Sequence, residues 1–385
     1  MDKGRRIISL IMAFIVGAVF SAGLIFFLQA TGKTKVRVDA EEYQQMIYMN
    51  EKYSKAEDVW KNVQENFYKD VTDEELEDAM LKGIMAGTGD QFSAYMNVEE
   101  YKSWNEQVNG EFEGVGVSYS EVIDGEGYQI LKVHEDTPAE KAGLKAGDVM
   151  IEVDGKKYQT IEEFGAALRG KAGTEVTVTY LRNGKEYKAT MIRAKINIKT
   201  VEHEVMDGNL GYIKITAFEP GTYDEFRAAL DDLESKKVKG FILDLRDNGG
   251  GLVREAERVG DDLLGSCDMY YTEDHNGKKE HYPSNADKTA LPYVLLVNEN
   301  SASATEILSC AVKENGGGKL VGTTTYGKGL IQMQYNFEDG SGYKLSILQV
   351  FSPKGNKVHK VGVKPDYVVK GEKAQLDKAK ELLSK

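Results

Sequence analysis

Two short stretches carry the residue types that acyl-transfer chemistry needs. The apolar run Val294 to Val297 reads as a buried strand that stops at Asn298-Glu299-Asn300. Ser301-Ala302-Ser303-Ala304-Thr305-Glu306 then leads into Glu306 to Val312, whose apolar spacing is helical. A serine at such a strand-to-helix turn stands beside free backbone N–H groups and the positive helix end, a setting that stabilises an oxyanion. Ser303 is therefore the candidate nucleophile. Its base is not among the five histidines, His134, His203, His275, His281 and His359, none of which lies at a strand end or in a Gly-rich setting. Lys328 differs, because Gly327 and Gly329 bracket it and the apolar segment Leu330 to Phe337 follows. Lowering a lysine from ~10.4 to ~7 in an apolar pocket costs about 4–5 kcal/mol at ~1.36 per unit, and the neutral amine is a general base. Taken alone, the serine also fits a helix cap and the Gly-Lys-Gly a surface loop.

The wider pattern resembles the C-terminal processing peptidases, or tail-specific proteases, serine-lysine endopeptidases that carry a PDZ domain. The resemblance rests on Ser301-Ala302-Ser303-Ala304-Thr305-Glu306, Gly327-Lys328-Gly329-Leu330-Ile331-Gln332 and Asp244-Leu245-Arg246-Asp247-Asn248-Gly249-Gly250-Gly251. It extends over roughly residues 40–385. It implies Ser303 as nucleophile, Lys328 as base and Gln332 as the residue that orients the lysine. It also implies an oxyanion hole from the N–H groups of Gly249 and Ala304, with Gly250 competing for the first place. Thr305 departs from the small serine expected there, with little effect on the chemistry. In a straight strand, Lys328 and Gln332 would stand roughly 13 Å apart at ~3.3 Å per residue, so their contact needs a bend, which Gly329 could supply.

The other elements must position these groups. Asp39 to Phe67 reads as an amphipathic helix with Tyr43, Met46, Ile47, Val59, Trp60, Val63 and Phe67 at helical spacing. A second helix opens at the capping box Thr72-Asp73-Glu74-Glu75 and ends at Gly87 and Gly89. Those stripes fit packing within a helical pair or, as in the family, a homodimer. Gly89 to Met96 resembles the family's lead-in to its PDZ domain. From Gly110 the pattern becomes short alternating strands. Gly114-Val115-Gly116-Val117 resembles the PDZ carboxylate-binding loop, with Ile161, Phe164 and Leu168 on the helix beside the groove. Apolar C-termini are the ligands such a groove implies. Arg169 is a candidate regulatory contact to the peptidase domain, or a cation that favours a helix C-terminus.

Leu210 to Ile215, Tyr223 to Leu233 and Phe241 to Leu245 form a strand-helix-strand unit with parallel strands, whose functional loops lie at the strands' C-terminal ends. Gly249-Gly250-Gly251 lacks the GxxxxGK[ST] pattern of a phosphate cradle. Asp339-Gly340-Ser341-Gly342 reads as a hairpin turn, so its Ser341-x-x-Lys344 spacing is not the helical motif of penicillin-binding enzymes. Gly362 to Asp366 matches the family's closing strand, and Glu372 to Leu383 reads as a final helix.

Lys3, Arg5 and Arg6 precede the uncharged stretch Ile7 to Leu28, 22 residues that span roughly 33 Å as a helix. The positive flank places the N-terminus in the cytoplasm. Leu28-Gln29-Ala30 is no small-x-small cleavage site, so an uncleaved signal anchor is preferred to a signal peptide. Residues 1–37 hold six basic side chains and one acidic. Of the chain's 49 basic and 62 acidic residues, 43 and 61 therefore fall beyond them, a net of −18 that excludes nucleic acid as a partner. Cys267 and Cys310 make neither a disulfide framework nor a metal motif.

The expected fold is mixed α+β. Residues 1–38 hold a cytoplasmic stub, the anchor (7–28) and a linker. Residues 39–100 form a helical arm, 101–195 a small β-barrel-like PDZ domain with helices, 196–370 an α/β serine-peptidase core and 371–385 a C-terminal helix. The expected activity is extracytoplasmic cleavage near polypeptide C-termini, at the cell membrane, through an acyl-enzyme, with no metal and no cofactor. The alternative is a catalytically silent membrane-anchored PDZ scaffold.

Overall fold

The computed structural model describes residues 39–108, 112–122, 127–196, 199–285 and 288–384, together with Ser21. Apart from Ser21, the stretch 7–28, on which the anchor expectation rests, lies outside them. Among the described residues no helix is long and apolar enough to cross a membrane. The chain divides into two units, the second beginning at Asp78.

In the first unit, α1 (Ala40–Asn66) starts where the Asp39 side chain accepts the Glu41 N–H, and none of its residues is buried. The predicted capping box opens α2 (Asp73–Ala86): Thr72 N–H donates to Glu75 Oε2 at 2.8 Å and Glu75 N–H to Thr72 Oγ1 at 3.2 Å. Trp60 Nε1 and Gln64 Nε2 both donate to Asp73 Oδ1.

The second unit begins within α2, at Asp78, and continues with β1 (Ala94–Met96) and α3 (Val98–Val108). Helix α3 crosses the boundary expected at residue 100. Its start is fixed by a reciprocal cap, Glu100 N–H to Asn97 Oδ1 at 2.9 Å and Asn97 N–H to Glu100 Oε2 at 3.0 Å. Next come β2 (Phe112–Gly114), β3 (Val117–Glu121), β4 (Tyr128–Val133), the single turn α4 (Pro138–Lys141), β5 (Val149–Val153), α5 (Ile161–Leu168), β6 (Glu175–Arg182), β7 (Lys185–Ile192) and β8 (Ala194–Ile196). Strands β3 to β7 form one antiparallel sheet in chain order, which leaves β3 at an edge, while β2 pairs with β8. Phe164, Met150, Val153, Val176 and Val178 are fully buried in this domain's own core.

The rest of the chain contains β9 (Val201–Met206), β10 (Leu210–Ile215), α6 (Thr222–Ser235), β11 (Phe241–Asp244), α7 (Val253–Leu264), β12 (Asp268–Glu273), β13 (Lys279–Pro283), β14 (Tyr293–Val297), α8 (Ala304–Asn315), β15 (Lys319–Gly322), β16 (Leu330–Asn336), β17 (Gly342–Phe351), β18 (Tyr367–Val368) and α9 (Glu372–Leu383). The six-stranded sheet runs β18-β15-β14-β11-β10-β9, all parallel except β9. Its strands alternate between two cores, as a period of two requires. Ile213, Leu243, Leu295 and Leu320 pack with α6, α7 and α8, while Ile242, Val294, Leu296 and Val321 pack with Ala379 of α9. Each such buried aliphatic side chain contributes about 1.5–3 kcal/mol.

The closing strand is β18, immediately after the segment Gly362 to Asp366 that was expected to form it. Gly362 has φ +73° and Pro365 has no N–H to give a ladder, so Asp366 joins the sheet through its side chain, accepting Leu320 N–H. In the second large sheet of this region, β16 lies along β17, whose other side is shared by β1 near Gly342 and β12 near Phe351.

Candidate active site

The loops that follow β11, β14 and β15 leave the same end of the parallel sheet, where this architecture collects function. They carry Gly249, Ser303 and Lys328. Ser303 immediately precedes α8 with φ +59° and ψ −118°, a conformation that costs a non-glycine residue of order 1–3 kcal/mol. The loop around it is over-determined. Ala302 N–H and Thr305 Oγ1 both donate to Asn248 O, and the fully buried Asn248 side chain donates to Ile215 O and accepts the Gly250 N–H at 2.8 Å. Glycine is required at 250, where φ is +97° and a Cβ would lie 2.6 Å from Ala302 O and 2.7 Å from Ser303 Cβ. Since the Gly250 N–H is committed to Asn248, Gly249 is the better placed of the two glycines to donate to a ligand. Ala304 N–H, at the first position of α8, is one of the donors a helix leaves without an intrahelical partner.

Glu306 joins the segments that carry Ser303 and Lys328. Its carboxylate is fully buried and accepts four hydrogen bonds. Oε1 takes Thr325 Oγ1 at 2.5 Å and Gly327 N–H at 2.7 Å; Oε2 takes Ser303 N–H at 3.0 Å and Lys328 N–H at 2.7 Å. The backbones of Ser303 and Lys328 are thus no further apart than two hydrogen bonds laid end to end. Ser303-x-x-Glu306 is a capping-box spacing, so the sequence contains a signal for this residue, although not for its grip on the lysine loop.

The Lys328 Nζ lies over the Phe92 ring, 4.7 Å from its centroid. Burial, followed by the charge of Lys344, holds the ammonium below the ordinary lysine range, while Asp90 and Glu306 pull it back up. Gln332 lies on β16 with its amide nitrogen donating to Leu330 O at 3.0 Å and Ser346 Oγ at 3.2 Å. The expected irregularity between Lys328 and Gln332 exists, but it is a register shift at Ile331/Gln332 rather than a bend at Gly329. Gly329 instead permits close approach, since a Cβ there would lie 2.5 Å from His359 N.

Not every residue of the quoted motifs reaches this site. Asp244 is buried and accepts from Tyr212 Oη and from the Arg246 guanidinium, which also donates to Gln375 Oε1 and Glu372 O of α9. That pair ties the strand end to the C-terminal helix. Ser341 binds Asp339 in the β16–β17 turn, as the hairpin reading requires. Both cysteines are free; Cys310 is buried in α8, which pushes its thiol up.

In the β3–β7 domain, Gly114, Val115, Gly116, Val117, Leu168 and Arg169 line one cavity of about 240 Å³ beside the edge strand β3. Ala139 N–H and His134 N–H take the carbonyls of Val115 and Gly116, which fixes the loop. Phe164 and Ile161 require correction as groove residues. Phe164 is fully buried, with its ring centroid 4.1 Å from that of Tyr128, and Ile161 packs against the same core. The apolar stripe of α5 faces inward, and the groove is bordered by its flank at Gly165, Leu168 and Arg169. Tyr119, His134 and Ile196 are also in the wall, and sequence spacing singles out none of them. Arg169 Nη1 donates to Ser103 Oγ on α3 at 2.9 Å. Helix α3 in turn receives Gln334 Nε2 of β16 on Tyr101 Oη at 2.6 Å, so Arg169 reaches the peptidase strands through α3 rather than directly.

Comparison with known proteins matches residues 209–369 to peptidase family S41 and residues 112–192 to the PDZ domain. The carboxy-terminal processing protease CtpA of Bacillus subtilis is 34% identical over 366 residues, covering 94% of this chain and 77% of that protein. A probable CtpA-like serine protease of Staphylococcus saprophyticus is 34% identical over 81% of this chain and 64% of its own length. The solved structure of a photosystem II D1 C-terminal processing protease superposes with a TM-score of 0.53 at 27% identity, covering 85% of this chain and 90% of that one.

Proposed function

We propose that this chain, which belongs to the C-terminal processing proteases of peptidase family S41, is an extracytoplasmic, membrane-anchored endopeptidase that captures polypeptide C-termini in its PDZ groove and cleaves near them. Ser303 Oγ attacks the scissile carbonyl while its proton passes to Lys328 Nζ, and the tetrahedral oxyanion is received by the N–H groups of Gly249 and Ala304. Lys328 then returns the proton to the leaving amine, and water releases the acyl chain from Ser303. With its amide nitrogen held by Leu330 and Ser346, Gln332 offers Oε1 as the acceptor that orients the lysine.

The observation that carries this reading is the Glu306 carboxylate, which binds the N–H groups of Ser303 and Lys328 on one oxygen. Tail capture is supported by the edge position of β3 beside the glycine loop, to which an extended peptide can add as a further strand. The anchor reading is supported by the 22 uncharged residues behind a basic flank.

The test follows, by mass spectrometry, cleavage of an unstructured polypeptide with an apolar C-terminus, supplied with a free or an amidated carboxylate. Ser303→Ala and Lys328→Ala should each abolish cleavage, and amidation should weaken it severalfold. Equal cleavage of both chains would remove tail recognition; activity that survives in Lys328→Ala would remove the dyad. No cleavage by the unmodified chain would favour the PDZ scaffold.

A further inference from the structure

We infer that Phe92 is a positioning residue of the peptidase site, its ring being the seat on which the Lys328 ammonium rests once the lysine has taken the seryl proton. The inference rests on the Ser303–Lys328 reading and extends it to a segment that precedes the PDZ domain.

An ammonium 4.7 Å from a ring centroid lies within the range of cation–π attraction, which acts on the charged lysine and not on the neutral one. The ring is held there by a chain of bonds. Asp90 Oδ1 accepts the Phe92 N–H at 3.2 Å, and Asp90 Oδ2 accepts Ser93 Oγ at 2.6 Å. Ser93 Oγ itself accepts Ser346 N–H of β17 at 3.0 Å, and the next residues form β1 on the same strand. The residue is not simple core packing. It is half-buried and forms a wall of a cavity of about 560 Å³ with Leu330, Leu345, Ser346 and His359.

The charged groups around Lys328 come from three further elements. Asp90 on the loop of Phe92 and Glu306 on α8 favour its charged form, and Lys344 on β17 opposes it. His359 and Lys360 border the cavity beyond the ring. Lys344 is itself seated over the Trp104 ring of α3, 5.7 Å from the centroid, so each of these two lysines has an aromatic support of its own. Removing the ring beneath Lys328 takes away an attraction that exists only for the protonated state, and the lysine then loses its proton at lower pH.

The experiment is the dependence of kcat/KM on pH for cleavage of the free-carboxylate polypeptide by the full chain, Phe92→Leu, Phe92→Met and Phe92→Tyr, with Lys328→Ala as control and a thermal melt of each protein. The acid limb of Phe92→Leu and Phe92→Met should move down by about 0.5–1 pH unit, whereas Phe92→Tyr, which keeps the ring, should leave it in place. Limbs that coincide with the unmodified enzyme, with only the height reduced, would make Phe92 a packing residue and overturn the inference; a shift to higher pH would overturn it equally. If Lys328→Ala retains cleavage, the dyad itself has failed, a result separate from any behaviour of the ring.

Discussion

The serine and lysine sides of the site are built differently. Ser303 has its backbone locked by Asn248, Gly250 and Glu306, in a conformation that only such surroundings sustain. Lys328 shares that backbone clamp, yet its side chain ends over the Phe92 ring, with the groups that bias its charge arriving from a loop, a helix and a strand. The backbone geometry of Ser303 is therefore a property of the parallel sheet and its turns. The lysine's charge depends also on what the second, antiparallel sheet brings beside it, Lys344 on β17 and the Asp90–Ser93 loop bonded to that strand. The serine's geometry is set once by folding, whereas the lysine's proton affinity remains open to adjustment.

The largest effect that can break this contrast should come from Glu306→Gln. An amide cannot accept all four hydrogen bonds, and its NH2 would face backbone donors. Cleavage should fall about a hundredfold or more, with a loss of roughly 2–4 kcal/mol in stability by denaturant unfolding. Unchanged activity would mean that the two segments find their register independently. Gly250→Ala tests the serine side alone: the added Cβ meets Ala302 and Ser303 at a backbone φ of +97°. About 1–3 kcal/mol should be lost, with reduced acylation of Ser303 by a fluorophosphonate and little movement of the pH profile. A shifted profile would show that the lysine is not set separately.

Lys328→Met should give the smallest change in stability, and in the opposite sense. Because burial holds the folded lysine below its ordinary range, the folded chain loses that proton while the unfolded chain still keeps it. Stability contributed by this group therefore rises with pH between the two values, and below them the charged lysine is a fixed cost. The variant, though inactive, should melt about a degree or two higher at neutral pH, and the gain should vanish as pH passes the ordinary lysine range. A lower Tm at neutral pH would show the lysine to be a stabilising element.

Much of this arrangement is legible in local sequence. The apolar strand before Ser303, the helix after it, the Thr72 capping box and the parallel unit from Leu210 to Leu245 each follow from periodicity and turn chemistry, and the motif spacings bring Ser303 and Lys328 forward. Other features depend on contacts between distant segments. Nothing around Phe92 indicates that it meets Lys328, because β1 joins β17 across most of the chain's length. The Asn97-x-x-Glu100 cap signals a helix, but not that Trp104 and Ser103 on it receive Lys344 and Arg169. On α5 the apolar spacing of Ile161, Phe164 and Leu168 identifies a buried stripe. Both Phe164 and Leu168 are buried in the domain's own core, and only packing shows that Leu168 also borders the groove while Phe164 does not.

The Glu306 carboxylate has a consequence for how the site opens. The amides of Ser303, Gly327 and Lys328 all end on this one group, so none of the three can exchange its hydrogen with solvent unless its bond to that carboxylate is broken. They should exchange with a common protection factor, as one cooperative unit that spans the loop after β14 and the loop before β16. A ligand that acylates Ser303 should then slow exchange at Gly327 and Lys328 as well, so that occupancy of the serine is felt as rigidity at the lysine.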